Sequence, residues 1–393
     1  MRYRYCVIGA GRQGVALAHD LLLNCEASRV VLADADETAA RRSVLRLVAL
    51  HPSRGGDLVP MRCDAADAAS VQRAAADAQV VISAAPYRFN EGLTRAAIAA
   101  RAHFCDLGGN TSVVRAQLSL HESARAAGVS VLPDCGLAPG LGNILAADGV
   151  SRLEPPIGVQ VRCGGLPQRR EGPLAYKLVF NFDGLVNEYS GFGEFLRDGA
   201  PISIPTLTEL EAIEFPEPIG RCEAAVTSGG TSTCAESFAG RVQNFDYKTV
   251  RYPGHFAVIR AMFGLGLFDE SVRTSDGGEL RPRALTRRLF EERLALPEVR
   301  DLVVLRVTVR GRSGGIARRV TYDLHDLHDE RTGFTAMERT TAFPTALVAY
   351  FQARGMIPAG ARPLEQVLPT AAYVKELGGH DIRVSERDGP DGA

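Results

Sequence analysis

The chain has 393 residues, 46% of them hydrophobic and 23% charged, so it can bury a sizeable core and is too apolar to remain unfolded. Forty-five Lys and Arg against 46 Asp and Glu leave a net charge of −1, which excludes a basic groove for nucleic acid as the theme of the molecule. No apolar run reaches the ~18 residues that cross a bilayer, and residues 1–8 do not have the charged-then-apolar form of a signal peptide, so a cytoplasmic protein without a membrane partner is expected.

In chain order, the first 150 residues repeat one rhythm: a short β-branched or apolar run, a turn, then an alanine-rich stretch of helical period. The pattern predicts strands over 3–8, 29–33, 58–62, 80–84, 103–107 and 129–132, and helices over 11–24, 37–50, 68–77, 91–101 and 112–127. Six strands joined by right-handed helical crossovers make an α/β, doubly wound parallel sheet covered on both faces. After Val150 the texture changes. Glu154-Pro155-Pro156 interrupts the chain, and the residues beyond it are richer in aromatic side chains, glycine and proline, with strand-like runs at 158–163 and 302–310. This second part reads as α+β with antiparallel strands, because long crossovers between its runs are missing. Residues 341–354 and 363–377 read as helices returning to the first domain, and 386–393 as a frayed end.

The strongest local signal is Gly9-Ala10-Gly11-Arg12-Gln13-Gly14, which comes after a predicted strand and opens a predicted helix, as a dinucleotide-binding G-x-G-x-x-G must. Gly9 serves the tight turn, Gly11 the approach of backbone to a pyrophosphate, and Gly14 close packing of helix on strand. Asp34 closes the second strand, 20 residues beyond Gly14, where a ribose-binding acid belongs. A carboxylate there accepts from the 2′- and 3′-hydroxyls of NAD and repels a 2′-phosphate, so NAD is favoured; NADP stays open because Arg41 and Arg42 lie nearby. Asp36 reads as a helix-start acid. Asp64 either reaches the adenine edge or caps its own loop.

Ligands of open α/β sheets collect at the carboxyl ends of the strands. Those ends hold Ala84-Ala85-Pro86-Tyr87, Asp106-Leu107-Gly108-Gly109 and Pro133-Asp134-Cys135-Gly136. Tyr87 is either a substrate contact or an interdomain lid. Asp106 and Asp134 either pair with a substrate ammonium or cap the adjoining turns. Cys135 is a candidate substrate contact but not a nucleophile, since no histidine lies close in sequence. The eight cysteines show no CxxC pair and no zinc spacing, so they are expected to be reduced and buried, and no metal is expected.

Pro133-Asp134-Cys135-Gly136-Leu137-Ala138-Pro139-Gly140-Leu141-Gly142-Asn143 resembles the D-x-G-x-A-P-G-x-x-N element of the saccharopine dehydrogenase family. Further segments agree in the same order, among them residues 84–90, 106–109, 173–177, 227–233 and 247–255. The resemblance is strongest to the members that oxidise lysine at its ε-carbon, and departs from them at Asn110 and Cys234. It implies a Rossmann domain over 1–133 completed by 335–393, and a catalytic and dimerisation domain over 134–334. It also implies a homodimer and NAD(P)-dependent oxidation at a carbon bearing nitrogen. For lysine the product is a semialdehyde that cyclises to a piperideine carboxylate. Cofactor contacts are then expected from Gly9, Gly11, Arg12, Gln13, Gly14, Asp34, Asp64, Ala84 and Pro86, and substrate contacts include Asn143.

In the second domain Tyr247, Lys248, Arg251, Tyr252 and His255 lie within nine residues and suit an amino-acid carboxylate, with Arg251 the bidentate partner. Strand alternation puts Lys248 and Arg251 on opposite faces, so only one points inward. His255 either takes the amine proton or serves a turn. Lys177, in an aromatic stretch, becomes a base if burial lowers its pKa. The loop Ser228-Gly229-Gly230-Thr231-Ser232-Thr233, with Thr231 as its substrate-binding candidate, offers amide and hydroxyl donors or merely turns the chain. The catalytic candidates are therefore Asp134, Lys177 and His255. Two other readings remain. One is an NADPH-dependent reductase that couples an aldehyde and an amine, of the saccharopine or carboxynorspermidine type; the other is a non-catalytic NAD-binding protein.

Overall fold

The computed structural model describes residues 2–391. The β-branched and aromatic runs of the first part form parallel strands β1 (Tyr3–Ile8), β2 (Ala27–Asp34), β3 (Leu58–Arg62), β4 (Val80–Ser83), β5 (His103–Asp106) and β6 (Ser130–Leu132) in the order β3-β2-β1-β4-β5-β6. The order reverses between β1 and β4, which opens a crevice at their carboxyl ends. β4 and β6 are buried throughout, as strands covered by helices on both faces must be. The first helix, α1 (Arg12–Asn24), starts at the glycine turn and buries its apolar stripe against the helix Ala336–Ala353.

That later helix brings the C-terminal residues back to the first sheet, as expected. Gln352 Nε2 donates to the carbonyls of Phe104 and Ser130, and the strand Gly360–Ala361 adds a seventh parallel strand beside β6. The predicted helix over 363–377 is two pieces, Leu364–Val367 and Thr370–Glu376, because Pro369 can neither donate to the helix nor let its predecessor stay helical. The predicted helix over 112–127 likewise divides into Thr111–Leu118 and His121–Ala127.

Among the described residues the second sheet has nine strands, with Pro156–Pro167 near its middle. Most pairings are antiparallel, but Asn244–Arg251 runs parallel to Pro156–Pro167 because about 75 residues of helix and hairpin lie between them, enough for a crossover. The end of the chain differs from its reading as frayed. Val384–Pro390 is an antiparallel edge strand on Ile316–Leu327, and its charges are met across the pair by Arg387 to Asp323 at 2.6 Å and Arg318 to Asp388 at 2.6 Å. Gly392 and Ala393 of that reading lie outside the described residues. The helix Leu141–Ser151, buried almost throughout, lies on the face of the second sheet; a Cβ on Gly149 would stand 2.6 Å from Val309.

One carboxylate fixes how the returning helix begins. Asp301, at the start of the strand Asp301–Ser313, accepts the amides of Ala336 and Met337, each at 3.0 Å, while Thr335 and Glu338 form a capping box. Asp301→Ala leaves two buried amides without partners, and chemical denaturation should show a loss of about 1–3 kcal/mol; an unchanged midpoint would disprove this anchoring role.

Candidate functional site

The glycine turn is shaped by two contacts within the protein and one opening. A Cβ on Gly9, which has φ +106°, would stand 2.7 Å from the Ala84 carbonyl oxygen, and one on Gly14 would stand 1.8 Å from the Gly9 carbonyl oxygen. A Cβ on Gly11 would meet nothing within 4 Å, so bare backbone faces open space at the mouth of α1, where free amides and the helix dipole favour an anion. Asp34 is pinned beside this turn: its carboxylate accepts from the Ala10 amide at 2.8 Å and the Asp36 amide at 3.0 Å. Each oxygen keeps a lone pair for a ribose hydroxyl. The turn and Asp34 therefore fit a dinucleotide.

The other residues of this region differ in use. Arg41 pairs with Glu37 at 2.5 Å and Arg42 lies 3.9 Å from Asp36, all of them exposed. Asp64 is exposed and accepts the Ala66 amide at 2.9 Å, the loop-capping alternative. Arg12 and Gln13, expected at the cofactor, turn to the returning helix instead: Arg12 Nε donates to Glu338 at 2.5 Å and Gln13 Nε2 to the Met337 carbonyl at 3.3 Å. Pro86 is exposed, while Ala84 forms the floor beneath Gly9.

At the ends of β5 and β6 the two aspartates separate into different roles. Asp106 is fully buried and satisfied, accepting from the Gly108 amide at 2.7 Å, the Asp134 amide at 3.2 Å and Gln117 at 2.7 Å. It is the cap of its turn, and burial raises its pKa. Asp134 is 1% exposed, sits at φ +62°, and among the described residues neither of its carboxyl oxygens has a hydrogen-bond partner. The Ser232 hydroxyl and the Gly109 amide lie beside it but outside hydrogen-bonding geometry. A Cβ on Gly108 would fall 2.2 Å from Asp134 Oδ1, so only glycine leaves room for this carboxyl. Burial, then the negative charges of Asp106 and Glu365, push its pKa up to about 8.

Cys135, next in the chain, is buried with its thiol directed at the Leu132 carbonyl, and burial raises its pKa well above the ordinary range. Asn143 is buried; its Oδ1 accepts from the Gly140 amide at 3.5 Å and its Nδ2 has no partner. Tyr87 is half-buried against Gly109.

The second sheet brings Lys248 and Arg251 to opposite faces of Asn244–Arg251, as alternation requires. Lys248 pairs with Glu211 at 2.8 Å. Arg251, expected to grip a substrate carboxylate, is instead enclosed. It is 2% exposed, bonded to Glu188 at 3.2 Å, the Tyr189 hydroxyl at 2.9 Å and the Val250 carbonyl at 2.9 Å, with its guanidinium over the Tyr176 ring. His255 closes the same network. The Leu174 carbonyl can only accept, so Nδ1 carries the proton and Nε2 takes the Tyr189 hydroxyl at 2.9 Å. Burial and the neighbouring Arg251 push its pKa down to about 3, so this neutral ring, already bonded at both nitrogens, has no free position from which to take a substrate proton.

Lys177 donates to the carbonyls of Leu296 and Val299 at 2.7 and 2.8 Å, and burial lowers its pKa. Thr231 and Ser232 line a small cavity with Thr111, Phe195 and Tyr247. Gly230 is required there, since a Cβ would stand 2.2 Å from the Tyr247 ring. Asn187 Nδ2 donates to the Gly109 carbonyl at 3.3 Å and ties this side to β5. The sequence reading missed Glu365. It lies in the short helix Leu364–Val367, and its Oε1 accepts from Thr233 at 2.7 Å and Ser237 at 2.6 Å while Oε2 has no partner.

A doubly wound dinucleotide-type sheet joined to a mixed sheet, with a buried carboxyl at their junction, defines the class of fold. Residues 5–132 match the saccharopine dehydrogenase NADP-binding domain and residues 136–382 the saccharopine dehydrogenase C-terminal domain, and the chain belongs to this family. It is 25% identical over 222 residues to a saccharopine dehydrogenase (NADP+, L-glutamate-forming) of Pyricularia oryzae, covering 54% of this chain and 48% of that one. It is 26% identical over 172 residues to the enzyme of the same name from Saccharomyces cerevisiae, covering 42% and 37%. The chain thus spans half the length or less of these curated relatives. The fold is that of apo saccharopine dehydrogenase (L-Glu forming) from S. cerevisiae, with a TM-score of 0.77, 19% identity and coverage of 98% of this chain and 100% of that one.

The raised pKa of Asp134 has a consequence for stability. An unfolded Asp ionises at ~3.9, whereas the folded chain holds this proton to about 8. Between those values the folded state binds more protons, so stability falls as pH rises through the window and levels off above it. In Asp134→Asn, whose side chain tolerates the positive φ, that slope is absent. Melting curves should show the variant gaining on the wild type from pH 5 to pH 8; a constant difference would refute the buried, protonated carboxyl.

Proposed function

We propose that the chain is an NAD-dependent oxidoreductase that oxidises the carbon bearing an amino group in an amino acid, L-lysine at its ε-carbon being the preferred substrate. The observation that carries this reading is Asp134, a buried carboxyl without a hydrogen-bond partner among the described residues, just past the end of β6 on the rim where a strand-end ligand belongs. Gly9, Gly11, Gly14 and Asp34 would hold the dinucleotide, and a bound nicotinamide supplies the hydride acceptor.

Everything else falls to the chain's own residues. A lysine ammonium cannot lose hydride until it is neutral, so Asp134 accepts its proton at a carboxyl oxygen. Asp106 keeps the turn in place through the Asp134 amide, and the closed Arg251–Glu188–Tyr189–His255 network fixes the wall of the second domain. The imine left on the substrate takes up water and releases ammonia, and the semialdehyde cyclises onto its own α-amine.

The names of the relatives support a second reading, reductive coupling of an aldehyde and an amine with NADPH. Two features favour oxidation of lysine with NAD. The Asp34 carboxylate at the ribose position opposes a 2′-phosphate. Saccharopine carries three carboxylates, whereas Lys177, Lys248 and Arg251 are already engaged with carbonyls or carboxylates.

Calorimetry should find NAD bound more tightly than NADP, with Asp34→Ala weakening NAD at least roughly tenfold through loss of charge-assisted hydrogen bonds. Equal affinity of the variant for NAD would contradict the assignment. In the oxidative direction kcat/KM for L-lysine should fall with unit slope below about pH 8, as Asp134 becomes protonated. Asp134→Asn should lose that limb together with most of its turnover, roughly 100-fold or more. A variant with wild-type rate and pH profile would remove Asp134 from the chemistry.

A further inference from the structure

Gly11 has no side chain, so what it offers a ligand depends on how the peptide joining it to Ala10 is turned. That peptide is trans, and in a planar trans peptide the carbonyl and the N–H point in opposite directions. Whatever holds the Ala10 carbonyl therefore aims the Gly11 amide. The carbonyl is held by Ser43, whose Oγ donates to it at 2.8 Å. Serine hydroxyls inside helices commonly return to a carbonyl one turn back; this one leaves the helix Glu37–Leu50 and crosses to the glycine turn.

The same helix is tied to the ribose acid. The Asp36 amide donates to Asp34 Oδ1 at 3.0 Å, and the Asp36 carboxylate caps the helix by accepting the Thr38 amide at 2.9 Å. Asp34 Oδ2 accepts the Ala10 amide at 2.8 Å. Ala10 is thus gripped at both its N–H and its C=O, once from the end of β2 and once from the helix that follows. The Gly11 amide, directed away from Ser43, meets no acceptor among the described residues, and the space around Gly11 is open.

Such a grip matters because this peptide is easily turned over. A half-turn changes ψ of Ala10 and φ of Gly11, now −75°, and only glycine accepts the resulting positive φ at little cost. The turned peptide would withdraw the Gly11 donor and put the Ala10 oxygen, a partial negative charge, in its place. Toward a diphosphate, attraction would become repulsion. We propose that Ser43 is a positioning residue for the dinucleotide: by holding the Ala10 carbonyl against its own helix, it keeps the Gly11 amide turned toward the diphosphate. The inference rests on the reading of this turn as the dinucleotide site and is independent of which amine is oxidised.

Calorimetry on the full chain compares wild type, Ser43→Ala and Ser43→Thr with NAD, NADP and ADP-ribose, the last carrying the diphosphate without the nicotinamide. Alanine is the better helix former, so Ser43→Ala keeps its helix and its nucleotide-free melting temperature should stay near that of the wild type. Its Kd for NAD and for ADP-ribose should rise by the same roughly 3–10-fold, the range for one lost hydrogen bond. Ser43→Thr, which keeps the hydroxyl, should bind as the wild type does. Orientation is told apart from general loosening by the Gly11 backbone amide in heteronuclear amide spectra. In nucleotide-free Ser43→Ala its resonance should broaden or double, and saturation with ADP-ribose should restore a single line. With a wild type that binds nucleotide, an unchanged Kd in Ser43→Ala, a loss for NAD that ADP-ribose does not share, or a Gly11 amide that stays single while affinity falls would each overturn the Ser43 assignment alone. A wild type that takes up neither NAD nor NADP would overturn the dinucleotide reading and this inference with it.

Discussion

A carboxyl removed from water with nothing to bond is among the more costly arrangements a folded chain can hold, and Asp134 is such a carboxyl. Its neighbours do not relieve it. Asp106 takes the Asp134 backbone amide and presents a like charge, and Gly108, having no side chain, only leaves the carboxyl space. The backbone at Asp134 is itself in the left-handed region, which a non-glycine residue adopts only when its surroundings fix it. Strain, burial and a missing partner coincide at one residue on the functional rim of the sheet. That coincidence is expected where stability has been given up for chemistry.

The C-terminal residues make this possible. The helix Ala336–Ala353 is fastened at its start by Asp301 and Arg12, and along its length by Gln352 against β5 and β6. Thr345 on the same helix donates to the Cys135 carbonyl at 2.7 Å, so the turn bearing Asp134 is gripped from behind. The short helix Leu364–Val367 then delivers Glu365 to the loop of the second sheet. A segment remote in sequence thus touches the glycine turn through Arg12, the β6 turn through Thr345, and the second sheet through Thr233.

Much of the fold was legible in the sequence because it rests on local regularities. Alternating apolar runs and alanine-rich helices mark β1 to β6 and the helices between them to within a few residues, and the glycine spacing marks the turn. What was not legible depends on partners far along the chain. The edge strand Val384–Pro390 has the polar composition of a loose end, and it becomes a strand only because Arg318 and Asp323 stand opposite. Arg251 and His255 have the composition of a substrate site, and only the arrival of Glu188, Tyr189 and Leu174 shows both already engaged, each bonded to the Tyr189 hydroxyl. Asp106 and Asp134 have the same position at successive strand ends. What distinguishes them is Gln117 and the two backbone amides that one receives and the other does not.

The closed arginine network bears on how the proposed site would favour an amine without a dedicated grip on every carboxylate. Arg251 lies over two tyrosine rings and meets Glu188 in a buried ion pair, so freeing it for a ligand would strand Glu188 without its cation. Breaking a buried pair from one side is strongly unfavourable, and a substrate carboxylate would have to supply that energy on arrival. An ammonium entering the Asp134 side meets the reverse situation, since its donors complete bonds that the protein has left open. On the proposed reading, binding energy is therefore available at the nitrogen end of the substrate and withheld at the position where sequence alone places the carboxylate clamp. On that reading, the choice of substrate follows from which buried charges were paired when the chain folded and which were left open.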